Sequence, residues 1–345
     1  MSRLQVVSGK GGTGKTTVAA ALALALATEG KRTLLVEVEG RQGIAQLFET
    51  EALPYEERKI AVAPGGGEVY ALAIDAERAL LDYLQMFYKL GSAGRALKKL
   101  GAIDFATTIA PGVRDVLLTG KACEAVRRRD KSRENSRENS RGTSRDKSQD
   151  PSQDKKGGGY VYDYVVMDAP PTGRITRFLN VNDEVAGLAK IGPIHNQAQA
   201  VMRVLKSPET AVHLVTLLEE MPVQETADGI AELRDADLPV GNVLVNMVRP
   251  HVLDEDAVRA AAGDHRKDIA KALAAAGISG STRLVGPLLD QAAEHAERVE
   301  LEREQREALA KLQVPTYELP FLGEGADIAG IYQLAKELRK LGVGV

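Results

Sequence analysis

"VVSGKGGTGKTTVAA", Val6 to Ala20, decides how this chain folds. Gly9, Gly14, Lys15 and Thr16 fall in the register G-x-x-x-x-G-K-[ST] of a phosphate-binding loop. The apolar run Leu4 to Val7 reads as a strand before the loop. The Ala/Leu-rich stretch Lys15 to Glu29 reads as a helix after it, closed by Gly30. Glycines let successive backbone N–H groups turn toward phosphate oxygens, and a helix opening at Lys15 points its positive end at the same anion. Lys15 is placed to neutralise the β- and γ-oxygens, the Thr16 hydroxyl to ligate Mg²⁺, and Thr17 to reach the α-phosphate. Gly11, Gly12 and Thr13 complete the loop. Lys10 is surplus to the pattern, a second cation five residues before the first.

Composition bounds the rest. The chain has 345 residues, 44% hydrophobic but only 4% aromatic, so its core is aliphatic, as strands covered on both faces require. A net charge of -3 gives no drive toward nucleic acid or acidic membranes. One cysteine, Cys123, excludes an internal disulfide and a Cys-x-x-Cys metal site. Met-Ser-Arg leads straight into a strand without a signal-peptide pattern, and the longest apolar run, Val18 to Ala27, is too short to span a bilayer. A cytoplasmic protein is expected.

Further strands are expected at Thr33–Val38, Val69–Ile74, Tyr162–Met167, Val212–Leu217, Val243–Val248 and Pro315–Leu319. Helices are expected from Ala76 to about Arg128, around Glu225–Arg234, and over Ile328–Leu341. The order predicts an α/β fold, a mostly parallel, doubly wound P-loop sheet in one domain over 1–345. A helical subdomain is inserted over 76–128 and about 174–206. Residues 127–156 hold eleven Lys/Arg against six Asp/Glu and no large apolar side chain. A disordered charged insert is therefore expected over 129–159, either a solvated spacer or a basic arm for an acidic partner.

"GKGGTGKT" resembles the deviant phosphate loop of the MinD/ParA/ArsA-type ATPases. There the extra lysine crosses a dimer interface to the partner's nucleotide, so the resemblance implies that Lys10 acts in trans. The strand "YDYVVMDAPPTGR" ends at Asp168, where a carboxylate can hold the Mg²⁺ water shell. "DAPPTG" resembles the ArsA-type switch "DTAPTG" through Pro170, Thr172 and Gly173, and implies a turn that senses the γ-phosphate. After the second strand the family carries "D-x-D-P-A-H". This chain has Glu37 and Glu39, then Gly40-Arg41-Gln42. Glu39 is the candidate for orienting water and Glu37 for the outer Mg²⁺ shell. Each is one methylene longer than the family's residue. A displacement of about 1 Å can cost a hundredfold in rate, so slow or partner-dependent hydrolysis is expected. "LVNMV" with Asn246 is similar to the family's adenine-reading segment. "ELPFLGEGAD" offers Pro320 and Phe321 against the base, with simple packing as the alternative. No Asn-Lys-x-Asp motif follows Asn246, which favours ATP over GTP.

On these matches the chain resembles an ArsA-type ATPase, the family of arsenical pump-driving ATPases and tail-anchored-protein targeting factors. The resemblance implies ATP, Mg²⁺ and a nucleotide-sandwich dimer, either a homodimer or a heterodimer with a paralogue. The arsenite thiolates and the zinc clasp are missing, and the five histidines have no ligand spacing. Leu81, Leu84, Met86, Phe87, Leu90 and Leu97 form a stripe that serves either a protein client or an ordinary helical core. The last helix, Ile328–Leu341, gives at most a peripheral membrane contact. A regulatory ATP-binding module paired with a paralogue, and a partition or septum-positioning ATPase, remain as rivals.

Overall fold

Strand β1 (Leu4–Gly9) runs into the loop and α1 (Lys15–Leu26), then β2 (Arg32–Glu37) and the short α2 (Gly43–Leu47). The hairpin β3 (Arg58–Val62) and β4 (Glu68–Ala73) follows, then α3 (Ala76–Tyr88), α4 (Pro111–Arg127) and β5 (Tyr164–Asp168). Next come α5 (Thr172–Leu188), α6 (Pro193–Leu205), β6 (Thr210–Thr216), α7 (Glu220–Asp235) and β7 (Val240–Val248). The chain closes with α8 (Arg266–Ala275), α9 (Ser281–Ala310), β8 (Thr316–Pro320) and α10 (Ile328–Lys340). This computed structural model describes residues 2–88, 111–130, 159–188, 193–250, 252–253, 257, 266–278, 281–323 and 325–343.

Among the described residues eight strands form one sheet, ordered β3-β4-β2-β5-β1-β6-β7-β8. Every neighbouring pair is parallel except β3–β4. This is the mostly parallel α/β sheet that the sequence predicts. β1 lies between β5 and β6, so its loop opens where the chain winds off in both directions, the usual place for a ligand in an open sheet.

Side chains alternate across the sheet, and each face buries its own set. Leu4, Val6, Val165, Met167, Val212 and Leu214 face α4 to α7, through Val126, Ile175, Phe178, Leu205 and Leu233. Val7, Leu35, Val166, Val215 and Leu244 face α1 and α10. Helix α1 is buried from Val18 to Leu26, because α10 covers the side that the sheet does not. The apolar face of α10, Ile331, Leu334 and Leu338, is consumed in that packing and is not free to lie on a membrane. Among the described residues no helix is long and apolar enough to cross one.

Helices α3, α4, α5 and α6, within the regions expected to be helical, pack on one another. Buried Asn182 donates to Thr119 Oγ1 at 2.8 Å, joining α5 to α4. The side chains of Leu84, Met86 and Phe87, and residues Leu90 and Leu97, lie outside the described residues. The ends of the charged segment are paired: Arg129 bridges Tyr160, and Asp130 N–H donates to Gly159 O at 2.8 Å. The rest of the segment expected as a charged insert, 131–158, lies outside the described residues.

Candidate functional site

The site begins with the glycines. Gly12 and Gly14 hold left-handed backbones, φ 90° and 81°. A Cβ on Gly9 would lie 2.3 Å from Val215 O, so the loop can turn only where β6 finds no side chain. Thr13, fully buried, donates from N and Oγ1 to Lys10 O at 3.3 and 2.8 Å, closing the turn on itself. Asn246 Nδ2 donates to Thr13 O at 2.9 Å. A register irregularity between Val245 and Val248, with Met247 at φ 58°, carries Asn246 toward the loop. Its amide nitrogen is thus engaged by the loop backbone.

The strand ends supply the carboxylates. β-pairing sets Asp168 beside Val7 on one side and Glu37 on the other. Thr16 Oγ1 donates to Asp168 Oδ2 at 2.7 Å, while Asp168 Oδ1 is buried without a partner. Burial pushes the Asp168 carboxyl up to about 6 against the pull of the Thr16 hydroxyl and Lys15, and Glu37 and Glu39 add to the rise. A hydroxyl beside an unsatisfied carboxylate oxygen is a hard-oxygen donor set that fits Mg²⁺. Among the described residues no cluster of three His, Cys, Asp or Glu offers an all-protein metal cage. Cys123 is buried, its thiol pushed up to about 12, and so is not a thiolate ligand.

Glu37 is buried with both oxygens engaged: Oε1 accepts from Gln42 N at 2.5 Å and Oε2 from Ile44 N at 3.4 Å. It caps α2, whose Gly43 sits against Thr16. Gln42, in a left-handed conformation, exchanges hydrogen bonds with the Leu53 backbone through Oε1 and Nε2 at 2.7 and 3.3 Å. Glu39, on the same segment, lies 3.7 Å from the Arg41 guanidinium. A 340 Å³ cavity opens beside this segment, lined by Thr16, Thr17, Gly43, Gln46, Leu47 and Ala326.

Sequence reasoning missed the residue that Lys10 meets. Lys10 Nζ lies 2.7 Å from Glu225 Oε1 on α7. Glu225 Oε2 accepts from Thr172 Oγ1 at 3.3 Å. Ser8 Oγ donates to Pro170 O at 2.6 Å. The phosphate loop is thereby tied twice to the "DAPPTG" segment, once directly and once through α7. No local spacing marks Glu225, which lies in an ordinary amphipathic helix. Phe321, half exposed, carries the Arg249 guanidinium 5.0 Å from its ring centre, and its N–H donates to Val248 O at 2.9 Å. Pro320 pairs with Val248. Both residues therefore lie beside the end of β7, the strand that carries Asn246.

A parallel sheet whose central strand runs into this glycine loop, with a threonine–aspartate pair at the strand ends, defines a P-loop nucleoside-triphosphatase. The family profile described as anion-transporting ATPase matches residues 2–132. The chain is 50% identical over 343 residues to the ATPase BagA of Mycobacterium tuberculosis, covering 99% of this chain and 94% of that one. It is 26% identical over 287 residues to the arsenical pump-driving ATPase of Acidiphilium multivorum, 79% of this chain and 44% of the relative. It is 24% identical over 275 residues to the ATPase GET3 of Eremothecium gossypii, 70% of each. The chain belongs to the ArsA-type, anion-transporting ATPase family.

Proposed function

We propose that this ATPase binds ATP with Mg²⁺ across the β1–β5 strand ends and hydrolyses it slowly in a nucleotide-sandwich dimer. The observation that carries this reading is the Thr16–Asp168 contact of 2.7 Å with Asp168 Oδ1 left buried and unpaired. When bound, Mg²⁺ neutralises charge on the phosphate oxygens. Lys15 and the N–H groups of Gly11 to Thr16 hold the phosphates. Asp168 and Thr16 hold the metal, and Glu37 fixes α2 beside it. Glu39 orients the attacking water. Lys10 leaves Glu225 and meets the partner's nucleotide, where a positive charge in trans stabilises the transferring group. Release of Glu225 frees Thr172, so occupancy of the loop reaches α5 and the helical layer that couples to a protein client. Asn246 holds the loop and presents its oxygen near the base, with Phe321 and Pro320 behind it.

The test is Mg²⁺-dependent ATP binding to Asp168→Asn and Thr16→Ala chains. Loss of the Mg²⁺ enhancement in both supports the site. Undiminished enhancement in Asp168→Asn overturns it.

A second reading has a specific observation behind it. Glu37 is committed to backbone N–H groups and Glu39 faces Arg41, so both glutamates of this segment are engaged within one chain. This favours hydrolysis that waits on a partner, either a second copy or a paralogue. Ordinary turnover by the purified chain alone would eliminate the paralogue.

A further inference from the structure

We propose that the amino-terminal end of β1 carries a second anion site, built for a phosphate group and separate from the nucleotide cleft. A 340 Å³ cavity there is lined by Arg3, Arg127, Arg129 and Arg203 around Tyr160, with Glu209 as the one carboxylate among the described residues that line it. Guanidinium groups gathered around so small a space repel one another, and an oxyanion relieves that repulsion.

The way the arginines are held matters as much as their number. Arg3 donates through Nη2 to Tyr162 O at 2.9 Å, and its guanidinium stacks on the Tyr160 ring, 3.3 Å from the centre. Arg129 stacks on the same ring at 4.9 Å. Arg127 donates to Ala200 O. A carbonyl takes one N–H of the five that a guanidinium carries, and stacking uses its face rather than its N–H edge. These contacts therefore orient Arg3 and Arg127 while leaving donors for a ligand. Half-burial also lowers the Arg3 pKa from its usual value, and a bound anion would offset that penalty. Guanidinium forks match phosphate oxygens two at a time, which selects phosphate over chloride.

The cavity stands apart from the nucleotide. The six residues of β1 separate Arg3 from the phosphate loop by about 20 Å at the usual strand rise. Arg127 and Arg129 precede, and Tyr160 follows, the sequence 131–158. The phosphate can come free from solution or be carried on a serine side chain.

The chain contains no tryptophan. Tyr160→Trp therefore installs a single indole against Arg3, and its fluorescence reads this cavity alone. The titrants are inorganic phosphate, a phosphoserine peptide, and potassium chloride at matched ionic strength, in the full chain with and without Lys15→Ala. The expected result is a saturable response to phosphate that survives Lys15→Ala and weakens about tenfold with Arg203→Gln, as loss of a charge-assisted contact would give. A response to both phosphates identifies the free group as the unit recognised. A response to the phosphoserine peptide alone identifies a side-chain source. Either upholds the site. No response, an equal response to chloride, or indifference to Arg203→Gln overturns it. Should Tyr160→Trp fail to fold, thermal melting of the Lys15→Ala chain decides. Phosphate must raise its Tm more than it does that of Lys15→Ala/Arg203→Gln, and equal shifts contradict the proposal.

Discussion

Lys10 Nζ sits 2.7 Å from Glu225 Oε1, so within one chain the distinguishing lysine of the loop is held by the chain's own α7. Both side chains are about one-third exposed, at 31% and 36%. Such a pair is worth roughly 0.2–1 kcal/mol, weak enough for a phosphate across an interface to win the lysine away. Glu225→Gln should therefore raise the ATP-dependent dimer fraction by up to about fivefold, the factor that 1 kcal/mol allows. Analytical ultracentrifugation with ATP would show it. An unchanged dimer fraction would mean that the tether restrains nothing.

Asp168 gives a pH dependence with a definite sign. Its carboxyl, raised to about 6 chiefly by burial, must lose a proton before it can hold a cation. The ionised share falls about tenfold between pH 7 and pH 5, and apparent Mg²⁺ affinity should fall with it. Isothermal titration across that range should give a slope in the native chain and none in Asp168→Asn. A flat native profile would contradict the assignment.

Asn246 can be tested by comparing bases. Its amide nitrogen bonds Thr13 O at 2.9 Å, so Asn246→Ala should loosen the loop for any nucleotide. Truncation leaves the buried carbonyl short of one hydrogen bond, about 1–3 kcal/mol. ATP and GTP affinities should both drop, roughly tenfold or more. If only discrimination between the two is lost, the amide reads the base and does not support the loop.

Glu37→Gln should leave ATP binding within about twofold, because charge-assisted capping of α2 is worth only about 1 kcal/mol and the phosphates are held elsewhere. Hydrolysis should fall at least tenfold as α2 loses its anchor. Hydrogen exchange at Gln42 and Ile44, the two N–H groups that Glu37 accepts, should accelerate. Unaltered exchange there would show that the anchor is redundant.

Much of this fold was legible because its signals are local. The loop, the apolar strand ending in Asp168 and the helix after Lys15 each announce themselves within a dozen residues. What escaped lacked such a signal. β3 is an edge strand with no fully buried residue, paired only with β4, although the Pro64-Gly65-Gly66-Gly67 turn after it marks a hairpin. Helix α2 is five residues long and is held by a carboxylate from β2 rather than by its own pattern. Helix α9 runs 30 residues with few buried positions, so it has little apolar periodicity. Pairs such as Arg298–Glu302 and Arg303–Glu307 support its surface instead. The segment expected as strand 162–167 begins at Tyr164 and reaches Asp168, and α1 ends at Leu26 where Thr28 turns its hydroxyl onto Ala25 O. Glu225 was illegible for another reason: its partner is chosen by the fold, which lays α7 beside the loop.

The central claim is that Lys10 serves the neighbouring subunit's nucleotide while Glu39 serves its own. Mixing Lys10→Ala chains with Glu39→Gln chains tests both parts at once. Each variant alone should bind ATP and turn over little. In the mixture, half the dimers are heterodimers, and each has one complete site: Glu39 from the first chain with Lys10 from the second. Hydrolysis should recover to about a quarter of the native rate on this two-fold statistics. A mixture no faster than the sum of its parts, with heterodimers present by sedimentation, would contradict the account.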